Sequence, residues 1–343
     1  MDSRVTVLIP NFNGERFLPF LFESLILQTL KGYCCIFLDD GSSDNSVEIA
    51  RSYKQQLPNL EILELPNAGI AGNWNRGMEM VTTEFFTLLH CDDGYEPEYL
   101  AEMVKLMDRY PKAALGHCGA LTMDERGESI YSSIEAYKQG RFLPSVAFSR
   151  SIEDEYAQLL LGDYIICPSV IYRVSMVKMV GLFNEKLTQT LDWEYWFRVL
   201  LCGLPICGTN LRLYRYRRHE NNLSVQNAVD MSRYLEELKT LEWAHESGTK
   251  KRLVNSVLAT GIIANILIYD IGLALVNRDY AAAKLKYDFL IQKELASRPL
   301  NYGLLWLIYL GRHGGWLLIR SIALLVTGLS YHAKFRALFG RKG

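Results

Sequence analysis

The sequence predicts an α/β fold with a mostly parallel central sheet, followed by a C-terminal helical extension. Three observations predict it. Short apolar runs rich in β-branched residues alternate with stretches of helical spacing through the first part of the chain. Two of those runs end in an aspartate pair, Asp39-Asp40 and Asp92-Asp93. Beyond Asn227 the chain carries helical spacing and no strand signal.

The elements follow in order. Residues 5–9 are apolar and β-branched-rich, as a buried parallel strand requires, and Pro10 closes them. Asn13 and Gly14 begin a turn. Residues 17–28 have helical spacing, which accommodates Pro19 only in a first turn. Residues 34–38 form a second strand, closed by Asp39, Asp40 and Gly41. A helix follows, with Ser43 or Asp44 as its cap and Val47 and Ile49 turned inward. Residues 60–65 are a third strand, 73–81 a helix, and 85–89 a fourth strand running into His90-Cys91-Asp92-Asp93. Further on, residues 124–141 read as a loop or lid, residues 153–161 as a helix, and residues 164–172 and 211–216 as strands. These readings divide the chain into residues 1–225, with halves 1–105 and 106–225, and a helical extension over 226–343.

Composition narrows the classes. The chain has 343 residues, 49% hydrophobic and 22% charged, so it is globular. A net charge of -1 gives no basic field for nucleic acid. Seven cysteines without a Cys-x-x-Cys pair exclude a zinc ribbon and argue for a reducing compartment. A core strand opens the chain with no signal-peptide pattern before it, so a cytoplasmic location is expected. Residues 253–276, 304–310 and 316–329 are apolar, and Lys334, Arg336, Arg341 and Lys342 make the end basic. That pairing suits attachment to an anionic membrane face or a helical bundle packed on the first domain or a second subunit, with a membrane span as the third reading.

Aspartate pairs at the carboxyl ends of strands are the main chemical signal, because ligands of open parallel sheets bind there. Adjacent carboxylates repel, so a site that keeps both has a cation or donors nearby. Asp92 and Asp93 therefore point to magnesium or manganese, which take oxygen ligands and substrate phosphates. A solvated turn is the other reading of either pair alone. Neither a Gly-x-Gly-x-x-Gly nor a Walker loop is present, so acids and side chains must hold any nucleotide.

Taken together, the motifs resemble the family 2 inverting glycosyltransferases of the GT-A fold. The residues concerned are Val5-Thr6-Val7-Leu8-Ile9-Pro10-Asn11-Phe12-Asn13, the helix end at Gln28, and Asp39-Asp40-Gly41-Ser42-Ser43-Asp44. Asn67-Ala68-Gly69 with Asn75 and Gly77 follows, and then Leu89-His90-Cys91-Asp92-Asp93. The likeness continues through Asp192-Trp193-Glu194-Tyr195-Trp196-Phe197-Arg198 and Arg218-His219-Glu220-Asn221. The resemblance implies that Pro10, Phe12 and Asn13 line the base and ribose pocket, with Asp40 on the base. Asp39, Asn67, Gly69, Asn75, Trp193 and Arg198 join the expected substrate contacts. Asp92, Asp93 and His219 would hold Mn2+ or Mg2+, and Asp192 would be the catalytic base. Two positions depart from the family pattern: His90 stands where an aspartate is usual, and Trp74 where an arginine is usual.

Each of these residues also has a plainer role. Asp192 can be an N-terminal helix acid, His219 a loop histidine, and Trp193, Tyr195 and Trp196 core packing. The run Arg212, Tyr214, Arg215, Tyr216, Arg217, Arg218 suits a half-solvated strand or a phosphate-facing patch better than RNA binding. The resemblance implies an inverting, metal-dependent transfer from a nucleotide-sugar donor to a glycan or lipid-linked acceptor. The protein would sit peripherally at the inner membrane face, with oligomerisation through the C-terminal helices open. A non-catalytic nucleotide-sugar-binding protein and a membrane scaffold are the alternatives.

Overall fold

A computed structural model describes residues 3–144, 146–219, 232–253, 268, 271, 274–275 and 279–292. The chain divides into two compact units, one of Met1–Leu223 with Glu246–Asn255, the other of Ser224–His245 with Ser256–Gly343.

The first unit opens β1 (Val5–Asn11), α1 (Leu18–Ile26), β2 (Cys34–Asp39), α2 (Ser46–Ser52), β3 (Leu60–Glu64), α3 (Gly69–Met80) and β4 (Phe85–Leu88). It continues β5 (Gly94–Tyr95), α4 (Tyr99–Arg109), β6 (Leu115–Met123), α5 (Ser133–Phe142), β7 (Phe148–Ser149) and α6 (Ile152–Leu160). Then come β8 (Val170–Arg173), α7 (Val174–Val180), α8 (Leu191–Leu201) and β9 (Ile206–Arg217). Later in the sequence come helices α9 (Ser232–Lys250) and α10 (Tyr280–Gln292).

The nine strands form one sheet in the order β3-β2-β1-β4-β8-β6-β9-β5, with β7 also on β9. β1 to β4 pair in parallel, β8 runs antiparallel between β4 and β6, and β6 pairs with β9 in parallel. Side chains alternate across the sheet. Val5, Val7 and Ile9 pack with Leu21, Phe22, Leu25, Tyr99 and Met103 of α1 and α4. Leu8 and Leu38 point the other way, to α3, where Gly77 lets the helix lie close: a Cβ there would meet Leu38 Cδ1 at 2.5 Å.

Pro10 ends strand pairing on one side only. Asn11 offers its carbonyl to the Asp40 N–H at 2.9 Å, and Leu8 offers its own to Leu89 at 2.8 Å on the opposite side. Pro10 therefore faces β4, has no N–H to give it, and the β1–β4 ladder stops at Leu88. On the β2 side pairing continues to Asn11. β4 is thereby released into the loop that carries His90, Asp92 and Asp93.

Several expected elements change. Residues 124–141 are a loop only in their first half: Asp124 anchors a tight turn by accepting from the Arg126 and Glu128 N–H groups, both at 2.9 Å. α5 follows, capped by Ser132, whose hydroxyl accepts from the Glu135 N–H at 3.2 Å. Ser132 and Glu135 have the spacing of a capping box, a signal that outranks the polar composition. Only the end of residues 164–172 is a strand, because Pro168 sits in a 3-10 turn, Cys167–Ser169. Neither Ser43 nor Asp44 is the α2 cap; that position is Asn45, while the Asp44 carboxylate accepts from Ser46 N–H at 3.0 Å. The apolar stretches 304–310 and 316–329, most of 253–276 and the basic tail lie outside the described residues. No helix among the described residues is long and apolar enough to cross a membrane.

Candidate active site

The site forms at the carboxyl ends of β1, β2 and β4, where three loops meet. The first is held by Asp39 and Ser42. Buried Asp39 accepts from Asn11 Nδ2 at 2.8 Å and from the Ser42 N–H at 2.9 Å. Asn13, in the left-handed region at φ 52°, donates its N–H to Ser42 Oγ at 2.8 Å and accepts from the Ser43 N–H at 2.9 Å. Phe12, between these anchored residues, is 55% exposed.

The second loop is organised by Asp40. Its carboxylate accepts from Ala68 N–H at 2.8 Å and Gly69 N–H at 3.0 Å, at the N-terminus of α3. The positive helix end favours that carboxylate. Asn67 donates to the Asp40 carbonyl at 3.0 Å, and Gly69 takes φ +73°, which a side chain would resist. Asn75 faces away from this loop: it clasps Phe183, accepting from its N–H at 2.8 Å and donating to its carbonyl at 3.0 Å.

The third loop follows β4. β5 begins directly after Asp93 and pairs Gly94 with Arg215 and Tyr95 with Tyr214 of β9, so the far end of β9 lies beside the loop. Buried Asp93 accepts from the Arg217 N–H at 2.8 Å and, on its other oxygen, from the Tyr214 hydroxyl. Burial first, and then the Asp92 charge, push the Asp93 carboxyl well above the usual range despite these donors. Arg217 donates from Nε to the Asp92 carbonyl at 2.7 Å. Asp92 keeps its side chain 21% exposed and meets His219 Nε2 at 2.9 Å. Burial alone would raise the Asp92 carboxyl; the His219 hydrogen bond and the His90 ring reverse that, and it lies below the usual range. Burial holds His90 below the usual histidine range, against the pull of Asp92.

His90, Asp92 and Asp93 each bring a possible ligand atom within 4.8 Å of the others. Carboxylate and imidazole donors, with the buried His90 Nε2 lacking a hydrogen-bond partner, fit a divalent cation.

Asp192 comes to the same end of the sheet by topology. β8 runs antiparallel to β4, with Ile171 opposite Thr87, so Cys167, just before β8, lies beyond the carboxyl end of β4. The Asp192 charge acts on Cys167 and Tyr172, whose thiol and hydroxyl are raised first by burial. Asp192 stands in the first turn of α8 and accepts from the Trp193 N–H at 2.8 Å.

Trp193 and Arg198 do not turn to this loop cluster. Trp193 is buried and donates its indole N–H to the Leu159 carbonyl at 3.1 Å. Arg198 binds Glu194 at 2.8 Å and donates to the carbonyls of Val180 at 3.0 Å and Leu182 at 2.8 Å. Both hold α8 against its neighbours. Sequence reading passed over Tyr214 and Arg217 as anchors of Asp93; the basic, aromatic run was their only trace.

An uncharacterized glycosyltransferase of Rickettsia typhi is 26% identical over 197 residues, 57% of this chain and 58% of that one. The Bacillus subtilis protein EpsH, provisionally named a glycosyltransferase, is 31% identical over 224 residues, 64% of this chain and 62% of its own. The chain thus spans less than two thirds of the length of these relatives. The crystal structure of S. aureus TarS 1-349 in complex with UDP-GlcNAc superposes with a TM-score of 0.58 at 17% identity, covering 97% of this chain and 92% of that one. Residues 6–167 match the family model of glycosyl transferase family 2, and the chain carries a domain of that family, built on the GT-A fold.

Proposed function

We propose that the protein transfers a glycosyl group from a nucleoside diphosphate sugar to a hydroxyl acceptor with inversion. The observation that carries this reading is the meeting of Asp40, Asp92 and His219 at one end of the sheet, in a family 2 domain, with Asp192 on the same side. Phe12, with Pro10 and Asn13 in the same loop, offers its exposed ring to the base. Asp40, Asn67 and Gly69 shape the wall behind the ribose. Asp92 with His219 would hold the divalent ion, Mn2+ or Mg2+, while Asp93 serves chiefly to fix the loop. When bound, such an ion neutralises charge gathering on the departing diphosphate. Asp192 takes the proton from the acceptor hydroxyl as it attacks the anomeric carbon from the face opposite the leaving group.

The donor class is a UDP-sugar, in keeping with the ligand of the similarly folded TarS. The acceptor is a glycan or lipid-linked intermediate of cell-surface polysaccharide synthesis, met at the inner membrane face. This last part rests on the apolar and basic C-terminal sequence.

Calorimetric titration with UDP, GDP, CMP and dTDP, each with and without manganese, tests the donor site. Manganese-dependent binding of UDP is expected; binding of none of the four overturns the reading. Replacing Asp192 by Asn separates an enzyme from a binding module. The enzyme keeps UDP binding and loses turnover by about 10²- to 10⁴-fold; turnover unchanged in that variant removes Asp192 from the mechanism.

A further inference from the structure

The two positions that depart from the family pattern are in contact. Trp74 and His90 stack with ring centroids 5.2 Å apart and planes 29° apart. Trp74 is buried and is braced edge-on by Phe183 at 5.2 Å. Phe183 is in turn fixed through its backbone by Asn75 at 2.8 and 3.0 Å. A continuous brace thus runs from Asn75 to the imidazole. At its end, His90 Nε2 is shut off from solvent and has no hydrogen-bond partner. A ring nitrogen of His90 lies within 4.8 Å of the ligand atoms of Asp92 and Asp93.

We propose that this chain builds its cation site with an imidazole in place of a carboxylate, His90 supplying a ring nitrogen beside Asp92 and Trp74 fixing the plane of the ring. The inference rests on the glycosyl-transfer reading above. The two departures compensate each other. An aspartate at position 90 would be matched in charge by an arginine at 74, whereas an arginine beside a neutral ligating ring would repel the incoming cation. Trp74 supplies an apolar face without charge, and the pair is neutral in both members. A nitrogen donor with fewer carboxylates favours first-row transition ions over magnesium, which prefers oxygen.

The test uses the full chain with UDP and manganese, read by pulsed electron paramagnetic resonance for nitrogen coupled to the ion. Nitrogen modulation is expected in the wild type, reduced in His90→Gln and in His219→Gln alike, and lost in the double variant. Trp74→Ala is expected to weaken manganese affinity about 10- to 100-fold, as loss of an orienting neighbour does. His90→Asp is expected to shift preference toward magnesium, and W74R added to it to restore affinity. Circular dichroism establishes that each variant is folded, and His90→Asn replaces His90→Gln if the latter is not. Manganese bound with UDP but with the same nitrogen modulation in His90→Gln overturns the inference and leaves the glycosyl-transfer reading standing. No manganese bound in the presence of UDP overturns both.

Discussion

At the scale of the residue, two adjacent aspartates have been given different work by what surrounds them. Asp93 is buried and bonded on both oxygens, whereas Asp92 remains partly exposed. The sequence offered them as equals, since their difference comes from β9, which lies more than a hundred positions away. Asp39 and Asp40 likewise looked interchangeable until Asn11 and Ser42 took one and the α3 N-terminus took the other. A separate residue carries a prediction on stability. His117 is buried on β6 between Phe148 and Tyr164, and its Nε2 has no hydrogen-bond partner. Burial, with the Arg150 charge adding to it, pushes its pKa down to about 3. The unfolded chain binds a proton there near pH 6.5 and the folded chain does not, so folding loses stability as pH falls through that value. The loss continues until the folded value of about 3 is reached. His117→Gln should therefore flatten the acid side of the stability profile. Urea midpoints at about pH 7 and about pH 4.5 check this, with the variant losing less between them than the wild type.

At the scale of the element, legibility followed periodicity. The strands β1, β2, β3 and β4 are short apolar runs and were readable as such, as was α1 with its first-turn proline. β6 was not, because Leu115-Gly116-His117-Cys118-Gly119-Ala120 lacks the β-branched residues that mark a strand. It exists because β8 and β9 flank it and pair with it. α5 shows the opposite failing: its signal was local, in Ser132 and Glu135, and polar composition hid it. Ser132→Ala should cost about 1 kcal/mol through loss of the cap, and hydrogen exchange across α5 should speed accordingly. Exchange left unchanged would mean that tertiary packing alone holds the helix. Trp193 and Arg198 belong at this scale too. Both were expected among substrate contacts, Trp193 with core packing as its other reading, and they join α8 to α6, to the end of α7 and to the turn after it. Trp193→Ala should cost about 3–5 kcal/mol in a urea melt, the price of a large core aromatic.

At the scale of the whole molecule, the first unit was the legible part, because its order of strand, helix and acidic turn leaves few topologies to choose from. The C-terminal sequence speaks only through composition. If its apolar stretches and basic end hold the protein to an anionic surface, replacing Lys334, Arg336, Arg341 and Lys342 by Gln should reduce flotation with anionic vesicles. The wild-type binding should also weaken with salt; flotation indifferent to both changes removes the membrane role. The whole arrangement of the first unit depends on a point where the sheet stops joining. Were Pro10 replaced by valine, β1 could donate one more hydrogen bond to β4, and Leu89 and His90 would be drawn into line as strand. The loop of His90, Asp92 and Asp93 would then become a rung. One missing hydrogen, at the middle of an otherwise continuous sheet, thus acts as the stop of a zipper, and on the proposed reading the opening above it is where a sugar nucleotide would enter.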